Sequence, residues 1–220
     1  MKNYLALGDS YTIGEQVLLQ ESFPYQTVQL LRKTAVGADS RRQGLKSSPA
    51  AVANPVGGLQ IVAPEIIAKT GWTTDELSSA IEQTVLLPQY DFVSLLIGVN
   101  NQYRGRSVHE FETGFTHLLQ MSIQFARNNS KKVFVLSIPD WGVTAFAEGR
   151  DRKKIAEEIN AFNDVCIKVS TLHQCYFIDI TSSQRTDGNK AEFLAKDGLH
   201  PSAKEYAKWA KLLSEAMVTS

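Results

Sequence analysis

The chain has 220 residues, 43% of them hydrophobic and 21% charged, with 23 basic and 23 acidic side chains. That length fits one domain, residues 1–220, and the balanced charge excludes a broad basic surface for nucleic acid or anionic membrane. No apolar run approaches the roughly 20 residues that span a bilayer, and two cysteines, Cys166 and Cys175, are too few for a disulfide framework and lack zinc-site spacing. Both cysteines read as small buried hydrophobes. The N-terminus carries no apolar core with a small-residue cleavage site. As it stands, the sequence therefore reads as a soluble cytoplasmic protein, or a secreted one if a leader has been removed.

Helical and strand-like segments alternate. "NYLALG" is a short apolar run ending in glycine and predicts the first strand. "SFPYQTVQLLRKT" predicts a helix with Ser22 as cap and Pro24 in its first turn. Ala35 to Gly58 holds "GADSRRQG", "KSSPA" and "NPVGG", all loop chemistry, and is expected to be a loop insertion. "PEIIAKTG" predicts the second strand, and "TTDELSSAIEQ" a helix whose Thr73 and Glu76 fit a capping box. "YDFVSLLIG" is apolar nearly throughout, as a strand buried on both faces would be. A long helix follows over roughly 107–128, with Val108, Phe111, Phe115, Leu118, Leu119 and Ser122 on one face. "KKVFVLSIP" predicts the fourth strand. The next helix turns Ile155, Ile159, Phe162, Cys166 and Val169 inward, "CYFIDI" is the fifth strand, and "HPSAKEYAKWAKLLSEAM" the closing amphipathic helix. This alternation predicts an α/β fold: a five-stranded parallel sheet with helices on both faces, in the flavodoxin-like order 2-1-3-4-5.

Ligands of such sheets bind at the carboxyl ends of the strands. There the sequence places "GDS", "KTGW", "GVNN" and "SIPDWG", and the loop before the last helix carries "DGLHP". Acyl transfer needs a nucleophile, a base within hydrogen-bond reach, a group that orients the base, and donors for the oxyanion. Ser10 is the candidate nucleophile. His200 is the candidate base, since His109, His117 and His173 fall on or at the end of predicted helices. Asp197, three residues before His200, is placed to hold it through a tight turn. The N–H of Ser10, the N–H of Gly71 and the side-chain amide of Asn100 are the candidate oxyanion donors. Tyr11, Trp72, Asn101, Tyr103 and Trp141 are candidates for a substrate pocket, with Phe146 beside them. Arg104 and Arg106 suit either an anionic part of a substrate or, on the plainer reading, ion pairs opening a helix. Asp9 is expected to bond backbone in its own turn.

These segments, in this order and over nearly the whole chain, resemble the SGNH hydrolases, also called the GDSL lipase/esterase family. "LGDSYTIGE" resembles the first block, with Ser10 matching the nucleophile, and "KTGWTTDEL" the second, with Gly71 matching the oxyanion glycine. "IGVNNQY" resembles the third, with Asn100 matching the oxyanion asparagine, and "DGLHPS" the last, with Asp197 and His200 matching the acid and base. The third block departs from the family pattern Gly-x-Asn-Asp by having Asn101 in place of the aspartate. The resemblance implies a three-layer α/β/α fold, hydrolysis of carboxylic esters, and no metal or organic cofactor. The partner expected is a small or soluble ester, with no nucleic acid. Two rival readings remain. One is a non-enzymatic phosphate or nucleotide binder using "GDSYTIG", which leaves Asn100 and "DGLHP" without roles. The other is a degenerate hydrolase fold used for interaction, although all the functional positions hold competent residues.

Overall fold

Phe92–Leu96 (β3) is buried at every position, and such a strand has neighbours on both edges and helices on both faces. In the computed structural model, which describes residues 1–33 and 58–220, β3 is the centre of one parallel sheet. Its partners are Tyr4–Asp9 (β1), Glu65–Lys69 (β2), Val133–Leu136 (β4) and Tyr176–Ile178 (β5), in the order β2-β1-β3-β4-β5. The register sets Leu7 opposite both Ile67 of β2 and Leu95 of β3. The edge strand β2 is only half-buried, in contrast to the fully buried β1. The insertion expected over 35–58 falls outside the described residues except for Gly58.

Phe23–Lys33 (α2) packs on Ala203–Thr219 (α8). Thr74–Gln83 (α3), Val108–Phe125 (α5) and Arg152–Leu172 (α6) pack in sequence on one another. The predicted apolar stripes of α5 and α6 are buried, with one exception: Val108 is 38% exposed. It is the first residue of α5, beyond the end of the packed stripe. Ser22 does not cap α2; its hydroxyl donates to the Leu19 carbonyl of a preceding 3-10 turn. The α3 box does form, with the Thr73 N–H donating to Glu76 Oε2 at 2.9 Å. Cys166 is buried in α6, whereas Cys175, next to the edge strand β5, is only partly so. Among the described residues no helix is long and apolar enough to cross a membrane.

Three short helices have no apolar periodicity to announce them: Ser10–Ile13 (α1), Val99–Tyr103 (α4) and Thr181–Asp187 (α7). Tertiary hydrogen bonds hold the last of these. Ser137, just past β4, accepts the N–H groups of Ile180 and Thr181 on its hydroxyl at 2.9 and 3.0 Å.

Candidate active site

β1 runs through Asp9, so Ser10 is the first residue of α1 at the carboxyl end of the strand. Asp9 caps that turn by accepting the Tyr11 N–H at 3.0 Å, which fixes the direction in which Ser10 projects. His200, the candidate base, comes from a tight loop before α8. Leu194 and Pro201 bridge across it, and the Ala195 N–H donates to the His200 carbonyl at 2.8 Å. Inside the loop, Asp197 Oδ1 accepts the N–H groups of Leu199 and His200, both at 3.0 Å. That leaves Asp197 Oδ2 facing His200 Nδ1 at 2.6 Å, while His200 Nε2 lies 2.9 Å from Ser10 Oγ. With Nδ1 donating to the carboxylate, Nε2 is the acceptor for the serine hydroxyl.

Ser10 and His200 are buried, and the Asp197 side chain is 28% exposed. Partial burial pushes the Asp197 carboxyl up, but the His200 ring and the N–H groups of Leu199 and His200 together outweigh it and hold it below the ordinary value. The Tyr11 ring packs on the His200 ring at 5.1 Å between centroids.

Gly71 and Asn100 line the same cavity as Ser10 and His200. Gly71 has φ +84, and a Cβ there would meet nothing nearer than Arg104 Nη2 at 3.6 Å. The glycine is therefore required by conformation and not by space. Asn100 Nδ2 donates to the Trp72 carbonyl at 3.0 Å. That bond uses one of its two amide hydrogens and orients the group. Gly98 starts α4 at φ +130, where a Cβ would come within 2.6 Å of Ile138 and Phe111 side chains. Close packing of the loop under Asn100 depends on it.

The cavity has a volume of about 200 Å³. Of the candidate pocket residues, Tyr11, Tyr103 and Trp141 line it, as does Phe146. Trp72 and Asn101 do not. Trp72 packs its ring against the core. Asn101 is fully buried; its Oδ1 accepts the Thr74 N–H at 3.1 Å and its Nδ2 donates to Thr74 Oγ1 at 2.9 Å, pinning the start of α3. Adjacent helix residues point roughly 100° apart, so Asn100 faces the cavity and Asn101 faces α3. Arg104 and Arg106 take the plainer role. Arg104 pairs with Glu76 at 3.3 Å and donates to the Gly71 carbonyl at 2.6 Å; Arg106 pairs with Asp75 at 2.6 Å and Glu110 at 3.1 Å. Thr70, Val99 and Leu199 also line the cavity, unforeseen from sequence. Each is a chain neighbour of a site residue, and that adjacency was the available signal.

A larger cleft, about 860 Å³, lies among Lys2, Tyr90, Asp91, Lys132 and Ser220, by the amino ends of the strands. Among the described residues it holds no nucleophile paired with a base and orienting acid, so geometry favours the smaller cavity. Among the described residues no group of three or more His, Cys, Asp or Glu side chains is placed to hold a metal ion.

The family model for the GDSL-like lipase/acylhydrolase family matches residues 6–208. No curated protein sequence matches the chain. Among solved structures, it is similar to an acetylxylan esterase from Geobacillus stearothermophilus, with TM-score 0.69 and 17% identity over 98% of this chain and 94% of that one. It is also similar to a lipase/acylhydrolase from Enterococcus faecalis, with TM-score 0.65 and 21% identity over 98% and 94%. A third likeness is to the psychrotrophic esterase EstA from Pseudoalteromonas sp., in a structure inhibited by monoethylphosphonate, with TM-score 0.63 and 16% identity over 100% and 98%. At these identities the likeness to solved structures is one of fold.

Proposed function

The chain belongs to the GDSL-like lipase/acylhydrolase family and is a hydrolase of ester bonds, and on that footing we propose that it is a serine esterase working through an acyl-enzyme on Ser10. The observation that carries the proposal is the unbroken chain of contacts from Ser10 Oγ to His200 Nε2 at 2.9 Å and from His200 Nδ1 to Asp197 Oδ2 at 2.6 Å. Ser10 Oγ attacks the ester carbonyl as His200 takes its proton. Asp197, held ionised by its hydrogen bonds, keeps the ring in the productive tautomer and stabilises the imidazolium. The N–H groups of Ser10 and Gly71 and the Asn100 amide stabilise the oxyanion. His200 then passes the proton to the leaving alcohol, and water repeats the sequence on the acyl-enzyme with His200 again as base, releasing the acid and restoring Ser10.

A cavity of about 200 Å³ with aromatic walls favours a short acyl group. The substrate class proposed is therefore a small, soluble ester. Phosphate binding at the start of α1 is disfavoured, because that helix has four residues and the Tyr11 N–H is already taken by the carboxyl of Asp9. The test is turnover of p-nitrophenyl acetate and longer p-nitrophenyl esters. The expected result is a preference for acetyl to butyryl esters, abolished in Ser10→Ala. Undiminished turnover by folded Ser10→Ala removes Ser10 from the role.

A further inference from the structure

We propose that Arg150 is a specificity-determining residue that recognises a negatively charged group, carboxylate or phosphate, on the alcohol part of the ester. The inference rests on the esterase reading above. Arg150 lies in the loop between β4 and α6, and its guanidinium carbon sits 5.6 Å from the Tyr103 ring centroid and 5.5 Å from those of Trp141 and Phe146. All three rings line the cavity that contains Ser10 and His200. Two of them, Tyr103 and Phe146, are 48% and 39% exposed. They form an apolar wall of the cavity, and the cation stacked against it lines an adjoining groove that shares Tyr103 and Trp141 with the cavity. The loop is also tied to the base: the Phe146 N–H donates to the carbonyl of Gly198, between Asp197 and His200, at 3.0 Å.

Among the described residues nothing neutralises the charge on Arg150. Among the described residues no carboxylate lies in ion-pair range of it, whereas Arg104, Arg106 and Arg185 are paired with Glu76, with Asp75 and Glu110, and with Asp140. Its polar contact is a long one, 3.4 Å from Nη2 to Tyr103 Oη. The acidic groups nearest in the adjoining groove are committed elsewhere. Asp151 caps α6 by accepting the Lys154 N–H at 3.0 Å. Glu158 accepts from Gln102 at 2.7 Å and faces Lys154 at 3.8 Å. Glu148, two residues before Arg150, makes no ion pair with it. Stacking on rings orients a guanidinium plane and leaves its edge N–H groups free for an oxyanion. A short acyl group fills the cavity, so the alcohol part extends outward over Tyr103 and Phe146 towards this edge.

The test compares 4-acetoxybenzoate with the neutral 4-acetoxybenzamide, which share the acetyl group and differ in charge on the alcohol part. The readout is the ratio of their kcat/KM values, so intrinsic reactivity cancels between enzyme variants. In Arg150→Gln the anionic-to-neutral ratio falls roughly threefold to fivefold, the size of an exposed charge pair, mainly through KM. Arg150→Lys, which keeps the charge but not the stacked plane, lowers the ratio less than Arg150→Gln does, Lys154→Gln leaves it in place, and added salt lowers it in the wild type. A ratio unmoved by Arg150→Gln, an equal fall on both esters, or an equal loss in Lys154→Gln overturns the proposal. Turnover that survives Ser10→Ala would instead sink the esterase reading. A dead Ser10→Ala with an unmoved Arg150 ratio would sink this inference alone.

Discussion

Asp9 and Asp197 flank Ser10, one along the chain and one through His200, and their surroundings push them in opposite directions. Burial pushes the Asp9 carboxyl up to about 7, with the Tyr11 N–H only partly opposing it. Asp197 is held down by three hydrogen bonds despite its own partial burial. A carboxyl whose folded value lies above its ordinary 3.8 contributes stability below that value and loses it as pH rises through about 7. Asp9→Asn keeps an acceptor for Tyr11 and never buries a charge. The melting temperature of Asp9→Asn relative to the wild type is therefore expected to be higher at pH 8 than at pH 5, and a difference flat in pH would contradict the assignment. Gly71→Ala puts a side chain at φ +84, at a cost of about 1–2 kcal/mol, and disturbs the backbone of a proposed oxyanion donor. Its kcat should fall with little change in KM. Asn100→Ala removes one of the proposed oxyanion donors, expected to cost about 2.7–4 kcal/mol in the barrier, read as a loss in kcat.

At the scale of elements, α3 and α4 depend on each other through Asn101 and Thr74. Both polar atoms of the buried Asn101 amide are used at the first residue of α3. Asn101→Ala leaves the Thr74 N–H unpartnered in the interior and should cost about 1–3 kcal/mol of stability. Asn101→Asp should be milder, because the Thr74 hydroxyl can turn to donate and a negative charge suits a helix N-terminus. Thermal unfolding of the two variants checks the order, and equal losses would refute it. The long helices α5 and α6 and all five strands were legible in the sequence, because burial writes a period of 3.6 into the helices and continuous apolar runs into the strands. The short helices α4 and α7 were not. They owe their form to polar ties from distant residues, such as Ser137 to Thr181, which leave no periodic trace.

For the molecule as a whole, the parallel sheet gathers the ends of β1, β2 and β3 and the loop before α8 around one small cavity. The convergence of Ser10, Gly71 and Asn100 at strand ends with Asp197 and His200 in the loop before α8 was legible from residue type and position. The pocket walls were legible only in part. Which of two neighbouring side chains faces inward is decided by turns of the backbone, as Asn100 and Asn101 illustrate. The cluster of Arg150 on Tyr103, Trp141 and Phe146 is purely tertiary, since Tyr103 ends α4 and the others come from the segment between β4 and α6. The central claim is that Ser10 Oγ is the atom that attacks. It is tested most directly by treating the protein with a fluorophosphonate and mapping the adduct by peptide mass spectrometry. A single adduct on the peptide containing Ser10, absent from Ser10→Ala and strongly slowed in His200→Ala, is the predicted result. An unlabelled Ser10, or labelling that persists in Ser10→Ala, would contradict it.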